Sequence, residues 1–197
     1  AARSPRLKAA MAAAVERRIP FDAAQAQVLV GQPGMRRSDP DYFPLFVGNY
    51  ILGGGGFVSR LSTEVREKRG LSYSVYSYFA PGLQAGPFQL GLSTRPDQAA
   101  QALTVARQVV ARFVAQGPSE AELKAAKDYL LNGFALRLDS NRKLLDNVAN
   151  IAWYGLPLDY LDSWTAQVQR VSAADIRRAF QRTLYPDRMA TVVLGAR

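Results

Sequence analysis

The chain contains no histidine and no cysteine. Without cysteine there are no disulfide staples and no thiol nucleophile, and a thiol-free chain fits an oxidising or a reducing compartment equally well. The two absences together remove the donors from which zinc sites are usually built. Long hydrophobic runs are missing as well. The uncharged stretch Tyr42 to Val58 is interrupted by Pro44, Asn49 and five glycines, whereas a membrane-spanning helix needs roughly 20 predominantly apolar residues. The first eighteen residues lack the apolar centre of a secretion signal. Because the chain opens Ala-Ala-Arg rather than on methionine, it is expected to be a piece of a longer protein.

Charge of one sign never accumulates in a block. Lys and Arg number 25 against 16 Asp and Glu, a net charge of +9, which raises the question of nucleic acid. The basic residues are nevertheless scattered, and no run of five like charges or nucleic-acid-binding motif accompanies them. No nucleic-acid partner is expected. What the chain does have is material for one core: 197 residues, 48% of them hydrophobic.

Periodicity outlines the elements. Residues 1–24 read as a linker or helical extension, with a short helix over Lys8 to Arg18, and the folded domain is expected from 25 to 197. Gln25 to Gly31 alternates and reads as a strand. Asp39-Pro40 has the form of a helix cap followed by proline at the first helical position. Behind it, Phe43, Phe46, Val47, Tyr50 and Ile51 recur at threes and fours. Gly53 to Gly56 should break that helix. A second helix is expected from Val58 to Arg69, stopped by Gly70 in a left-handed conformation. Ser72 to Phe79 and the Phe88-Leu90-Leu92 alternation predict two strands.

Downstream, Asp97 to Gln116 predicts an amphipathic helix. Ser119 with Glu122 and Ser172 with Asp175 are capping boxes. The helix behind Ser119 is expected to reach Tyr154 with a break near Asp139-Ser140, and Met189 to Leu194 reads as a closing strand. The order implies an α+β fold, an antiparallel-rich sheet with helices packed on one face.

The four glycines Gly53–Gly56 do not form a phosphate loop, because no lysine and hydroxyl follow them. They read as a flexible or tightly turned link. Arg66 and Tyr73 are the candidate site residues. Taken singly, a helix-end arginine is usually a solvated partner of the helix dipole, and a strand tyrosine is usually packing. As a pair they offer guanidinium and phenol donors suited to a developing oxyanion.

Gly53–Gly56, Ser59-Arg60-Leu61, Arg66-Glu67-Lys68 and Gly70-Leu71-Ser72-Tyr73 together resemble the second-domain signature of the pitrilysin-like zinc peptidases, the insulinase or M16 group. The likeness continues through Gly86-Pro87-Phe88, Glu122-Leu123, Gly155-Leu156-Pro157 and the closing Val-Val-Leu-Gly. The resemblance implies a processing-peptidase-like metalloprotease C-terminal domain. It also implies zinc in the complete enzyme, held through His-x-x-Glu-His by a domain absent from this chain. In that reading a partner zinc and glutamate activate water, while Arg66 and Tyr73 bind the scissile carbonyl of a peptide substrate. This chain would hold no metal or cofactor itself and be inactive alone. Its expected partner is a zinc-bearing N-terminal domain or subunit, with a dimer for the full-length form and a periplasmic home by analogy. The alternative is a non-catalytic structural or binding subunit of the same family.

Overall fold

The computed structural model describes residues 13–195. Five strands build one sheet: β1 (Glu16–Ile19), β2 (Ala26–Pro33), β3 (Ser74–Phe79), β4 (Pro87–Thr94) and β5 (Ala190–Leu194). Their order is β1-β5-β2-β4-β3, with β1 parallel to β5 and the other pairs antiparallel. The helices are α1 (Tyr42–Asn49), α2 (Ala99–Gln116), α3 (Glu120–Asn132), α4 (Asn141–Tyr154), α5 (Tyr160–Arg170) and α6 (Ala173–Thr183). This is the expected α+β architecture.

Alternation decides which face of the sheet is covered. Ala26, Val28 and Val30 of β2, Phe88, Leu90 and Leu92 of β4, and Val193 of β5 are buried, while Leu29, Val192, Tyr76 and Tyr78 point to the open side. Across the buried face, Phe113 of α2 meets Phe180 of α6 edge to face at 4.8 Å, and Phe180 in turn approaches Phe79 of β3. α1 crosses α6 at Gly48, where a methyl group would stand 2.4 Å from the Phe180 ring. On the open face the Tyr76 ring lies over Gly91 of β4, where an added Cβ would stand 2.5 Å from the ring.

Several local expectations change. Of the helix expected over Lys8 to Arg18, residues 8–12 lie outside the described residues, and the remainder enters strand β1, held by parallel pairing to β5. Asp39 caps a turn rather than the helix: its Oδ1 accepts from the Asp41 N–H at 2.9 Å, and α1 starts at Tyr42. The helix does not break at Gly53. It widens into a π-helical turn over Tyr50–Gly54, in which the Gly55 N–H donates to the Tyr50 carbonyl at 2.8 Å. The second helix begins two residues late, after an extended Ser59 whose carbonyl accepts from Thr63 at 2.9 Å. The long helix breaks earlier than expected, at Gly133 to Leu138, and Ser140 then caps α4. Both capping boxes are present as read.

Two contacts hold these elements together, the first between helix and strand and the second between helices. Gly53 lies directly on β3, where a Cβ would sit 2.4 Å from Ser77 Oγ and 2.6 Å from the Ser77 backbone nitrogen. Asn49 completes this contact. Its Nδ2 donates to the Ser77 carbonyl at 3.0 Å, and Ser77 Oγ donates to Asn49 Oδ1 at 2.8 Å. The second contact joins two of the sequence motifs. Arg60 donates from Nε to Glu122 Oε1 at 2.6 Å and from Nη2 to Oε2 at 2.7 Å, and Nη2 also reaches the Gly117 carbonyl.

Gly53→Ala should destabilise the chain by about 2–3 kcal/mol, since backbone stands on the other side of the contact; urea unfolding reads this, and wild-type stability would remove the close-approach argument. A second expectation concerns pH. The Arg60 guanidinium, helped by Ser119, holds the Glu122 carboxyl down to about 2. The folded value lies below the unfolded one, so the stabilisation is complete above about pH 4.5 and is lost as pH falls towards 2. Water screens the pair, whose side chains are 23% and 32% exposed, so Glu122→Gln should cost about 1–2 kcal/mol at pH 7. Glutamine can still serve the capping box. Unfolding curves at pH 7, 4 and 3 should show the gap between the two proteins closing in that order.

Candidate functional site

Arg66 projects from the π-helical segment Ser62–Glu67, which ends as its sequence suggests. Gly70 has φ +61. Its N–H donates to the Arg66 carbonyl at 2.8 Å, and the Leu71 N–H donates to the Val65 carbonyl at 2.9 Å. The two bonds are nested as in a Schellman stop, but each reaches one residue further back, the register of a π-helical end, and Val65 and Leu71 are both buried beneath it.

The chain is pinned again immediately afterwards. Ser72 is buried, and its Oγ lies 2.6 Å from the Ser74 carbonyl and 2.7 Å from the Ser93 carbonyl. Thr94 Oγ1 donates to the Leu71 carbonyl at 2.5 Å. Between these anchors and the first residue of β3 stands Tyr73, which is 79% exposed. The strand therefore starts later than the expected Ser72, because these side-chain bonds hold the backbone before the ladder with β4 begins.

Arg66 and Tyr73 do meet. The Arg66 guanidinium carbon stands 5.5 Å from the centre of the Tyr73 ring and 4.3 Å from that of Phe57. Cation–π attraction orients the guanidinium within this pair of rings. Arg66 takes part in no ion pair among the described residues, so its donors are not committed to a carboxylate. Phe57 is the member of this cluster that sequence reasoning missed. Its signal was an aromatic residue directly behind a glycine run, and it is 67% exposed. The arrangement offers N–H and O–H donors on an open surface, which can hold a carbonyl oxygen or another anion.

Beside the cluster lies a groove of about 790 Å³ that follows β3 from Val75 to Phe79. Tyr76 and Tyr78 face this groove and the open side of the sheet, not the core. The opposite wall is α1 and the Tyr50–Gly54 turn, with Tyr129, Leu130 and Arg137 closing one side. Tyr50 stacks on Tyr129 at 5.1 Å and Tyr76 on Tyr78 at 6.1 Å. At the far end, burial pushes the Tyr42 phenol up to about 12 although Arg37 and Arg137 oppose the shift. Tyr42 therefore stays a neutral hydrogen-bond donor at any physiological pH.

Neither cluster fits a metal. Among the described residues no group of three or more His, Cys, Asp or Glu could hold an ion. The donors at Arg66 and Tyr73 are a cation and a phenol, which suit anions. No helix among the described residues is long and apolar enough to cross a membrane.

Comparison with known proteins adds a family. Residues 6–130 match the model of the peptidase M16 inactive domain. The chain is 33% identical to an uncharacterized zinc protease of Streptomyces coelicolor, over 87% of this chain and 37% of that protein. It is 31% identical to a non-peptidase homolog of Helicobacter pylori, over 79% of this chain and 36% of that protein. Among solved structures, a peptidase M16 inactive domain from Pseudomonas fluorescens superposes with a TM-score of 0.89 at 37% identity, covering 94% of this chain and 44% of that one. A Bordetella pertussis structure shares the fold at a TM-score of 0.73 and 17% identity, over 86% of this chain and 92% of that one. The chain thus spans well under half the length of the curated relatives named here.

Because Tyr73 is exposed and touches Arg66 mainly through its ring, Tyr73→Ala should cost less than about 0.5 kcal/mol of stability. Urea unfolding tests this, and a loss of 2 kcal/mol or more would make Tyr73 a structural residue.

Proposed function

Since the chain belongs to the peptidase M16 family, as its inactive C-terminal domain, we propose that it supplies the carbonyl-binding half of a zinc metalloprotease. The observation that carries this reading is the Arg66–Tyr73 pair, two uncommitted donors held together on a rigid, open backbone. C-terminal domains of this family pair with an N-terminal domain. Zinc, which the names of relatives imply, belongs on that other domain and would supply activated water there.

This chain's own contribution is electrostatic. When a peptide carbonyl is attacked, negative charge grows on its oxygen. The Arg66 guanidinium brings a positive charge and N–H donors, and the Tyr73 hydroxyl adds an O–H donor. Donors positioned in advance stabilise the transition state more than the ground state, because the charge they meet is larger there. Phe57 also holds Arg66, with its ring centre 4.3 Å from the guanidinium carbon. Alone the chain has no means of activating water and is inactive. The zinc-bearing domain lies in the same precursor or in a partner subunit.

A second reading is a structural or binding subunit without turnover, and the Helicobacter relative described as a non-peptidase homolog favours it. The two separate in one experiment. In a mixture of this chain with its zinc-bearing counterpart, Tyr73→Phe should lower peptide turnover about 10²-fold, by analogy with the loss of other oxyanion donors. Undiminished turnover removes the proposed role. Absence of any cleavage by a confirmed zinc-loaded complex selects the structural subunit.

A further inference from the structure

The groove along β3 holds an arrangement that the carbonyl-binding role does not use. Its lining includes Gly56, the residue before Phe57, and Val75, two residues after Tyr73, so it starts close along the chain to the candidate site, although Phe57, Arg66 and Tyr73 do not line it. Its walls carry two stacked tyrosine pairs, Tyr50 with Tyr129 and Tyr76 with Tyr78. Arg137 is the one charged side chain of its lining, which contains no carboxylate. The Arg137 guanidinium rests on the rings of Trp164 at 5.1 Å and Phe46 at 5.8 Å and joins no ion pair among the described residues.

The main chain of β3 is already occupied at the middle of the groove. Asn49 takes the Ser77 carbonyl, and Gly53 lies against the Ser77 nitrogen. An extended chain therefore cannot add here as a further strand, and recognition falls to side chains. Flat aromatic faces accept an aromatic or aliphatic side chain, and a lone guanidinium accepts a carboxylate. A volume of about 790 Å³ is within the range of ligand-binding clefts.

We propose that this groove anchors the flank of an extended peptide substrate, seating an apolar or aromatic side chain between the tyrosine pairs and an acidic side chain on Arg137. The proposal rests on the reading that Arg66 and Tyr73 bind the scissile carbonyl, and it adds the substrate class. Spacing follows from strand geometry. At about 3.3 Å per residue, the six steps from Tyr73 to Phe79 span about 20 Å, so the acidic residue lies about four to seven residues from the bond that is cut. The absence of any lining carboxylate makes a lysine or arginine at that position unfavourable, which is discrimination by charge.

The test uses binding, not cleavage. Two fluorescein-labelled ten-residue peptides are titrated into this chain and followed by anisotropy. Both carry phenylalanine; one has aspartate five residues away and the other has lysine there. The aspartate peptide should bind at least tenfold more tightly, and Arg137→Glu should reverse the preference. Tyr129→Ala should weaken both peptides about fivefold, with near-UV circular dichroism confirming that each variant is folded. Equal affinities, no binding of either peptide, or an unchanged preference in Arg137→Glu overturns the proposal. Loss of binding in a complex with the zinc-bearing domain also overturns it, because the groove would then be a domain interface. Arg66→Ala and Tyr73→Phe should leave the aspartate preference intact. If Tyr73→Phe proves fully active while that preference persists, the oxyanion role falls and the groove stands.

Discussion

The rest of the structure depends on the contact of Gly53 and Asn49 with Ser77. Strand β3 is an edge strand, and an edge exposes backbone groups that must find partners or solvent. Here the helical layer comes close enough to satisfy part of that edge, with Asn49 bonding the Ser77 carbonyl and hydroxyl. Only a residue without a side chain allows the approach, which is the physical content of the glycine run. The π-helical turn follows from the same constraint, since one extra residue per turn brings Gly53 round onto the strand. Arg66 lies on the helical segment that follows the glycine run, and Tyr73 stands immediately before β3, so both flank the elements that this contact joins.

The Arg60–Glu122 pair serves a different purpose. It links the start of the Arg66 helix to the N-terminus of α3 and the end of α2. Glu122 is also the third residue of the α3 capping box, so one carboxylate satisfies a helix end and a guanidinium together. The helix bearing Arg66 is thus tied at both ends, by Arg60 at the start and by the Gly70 stop at the finish. Between these ties the half-buried Arg66 side chain reaches the rings of Phe57 and Tyr73.

Much of this was legible from residue order. The alternation of β2 and β4, the two capping boxes, the Gly70 stop and the one-sided sheet all rest on local rules that tertiary contacts did not override. The misses also have causes. β1 has four exposed residues and no alternation, because an edge strand held by parallel pairing needs no buried face, so periodicity could not reveal it. The π-helical turns came from a close approach between residues far apart in sequence. The break at Gly133 lacked the proline or multiple glycines that normally mark one. Within the candidate site, Arg66 and Tyr73 stood out through a motif. Phe57 and Arg137 did not, because an exposed phenylalanine and a solitary arginine become informative only once their neighbours in space are known.

Ser72 has a consequence for the thermodynamics of recognition. A surface tyrosine on a mobile loop would surrender backbone and side-chain freedom together on engaging a ligand, at roughly 1–2 kcal/mol for each residue newly ordered. Tyr73 stands between a serine bridged to two carbonyls and the start of a paired strand, so its backbone entropy was lost when the chain folded. What remains to be restricted is the rotation of one aromatic side chain. An exposed residue, ordinarily taken as a sign of looseness, is here the preorganised one.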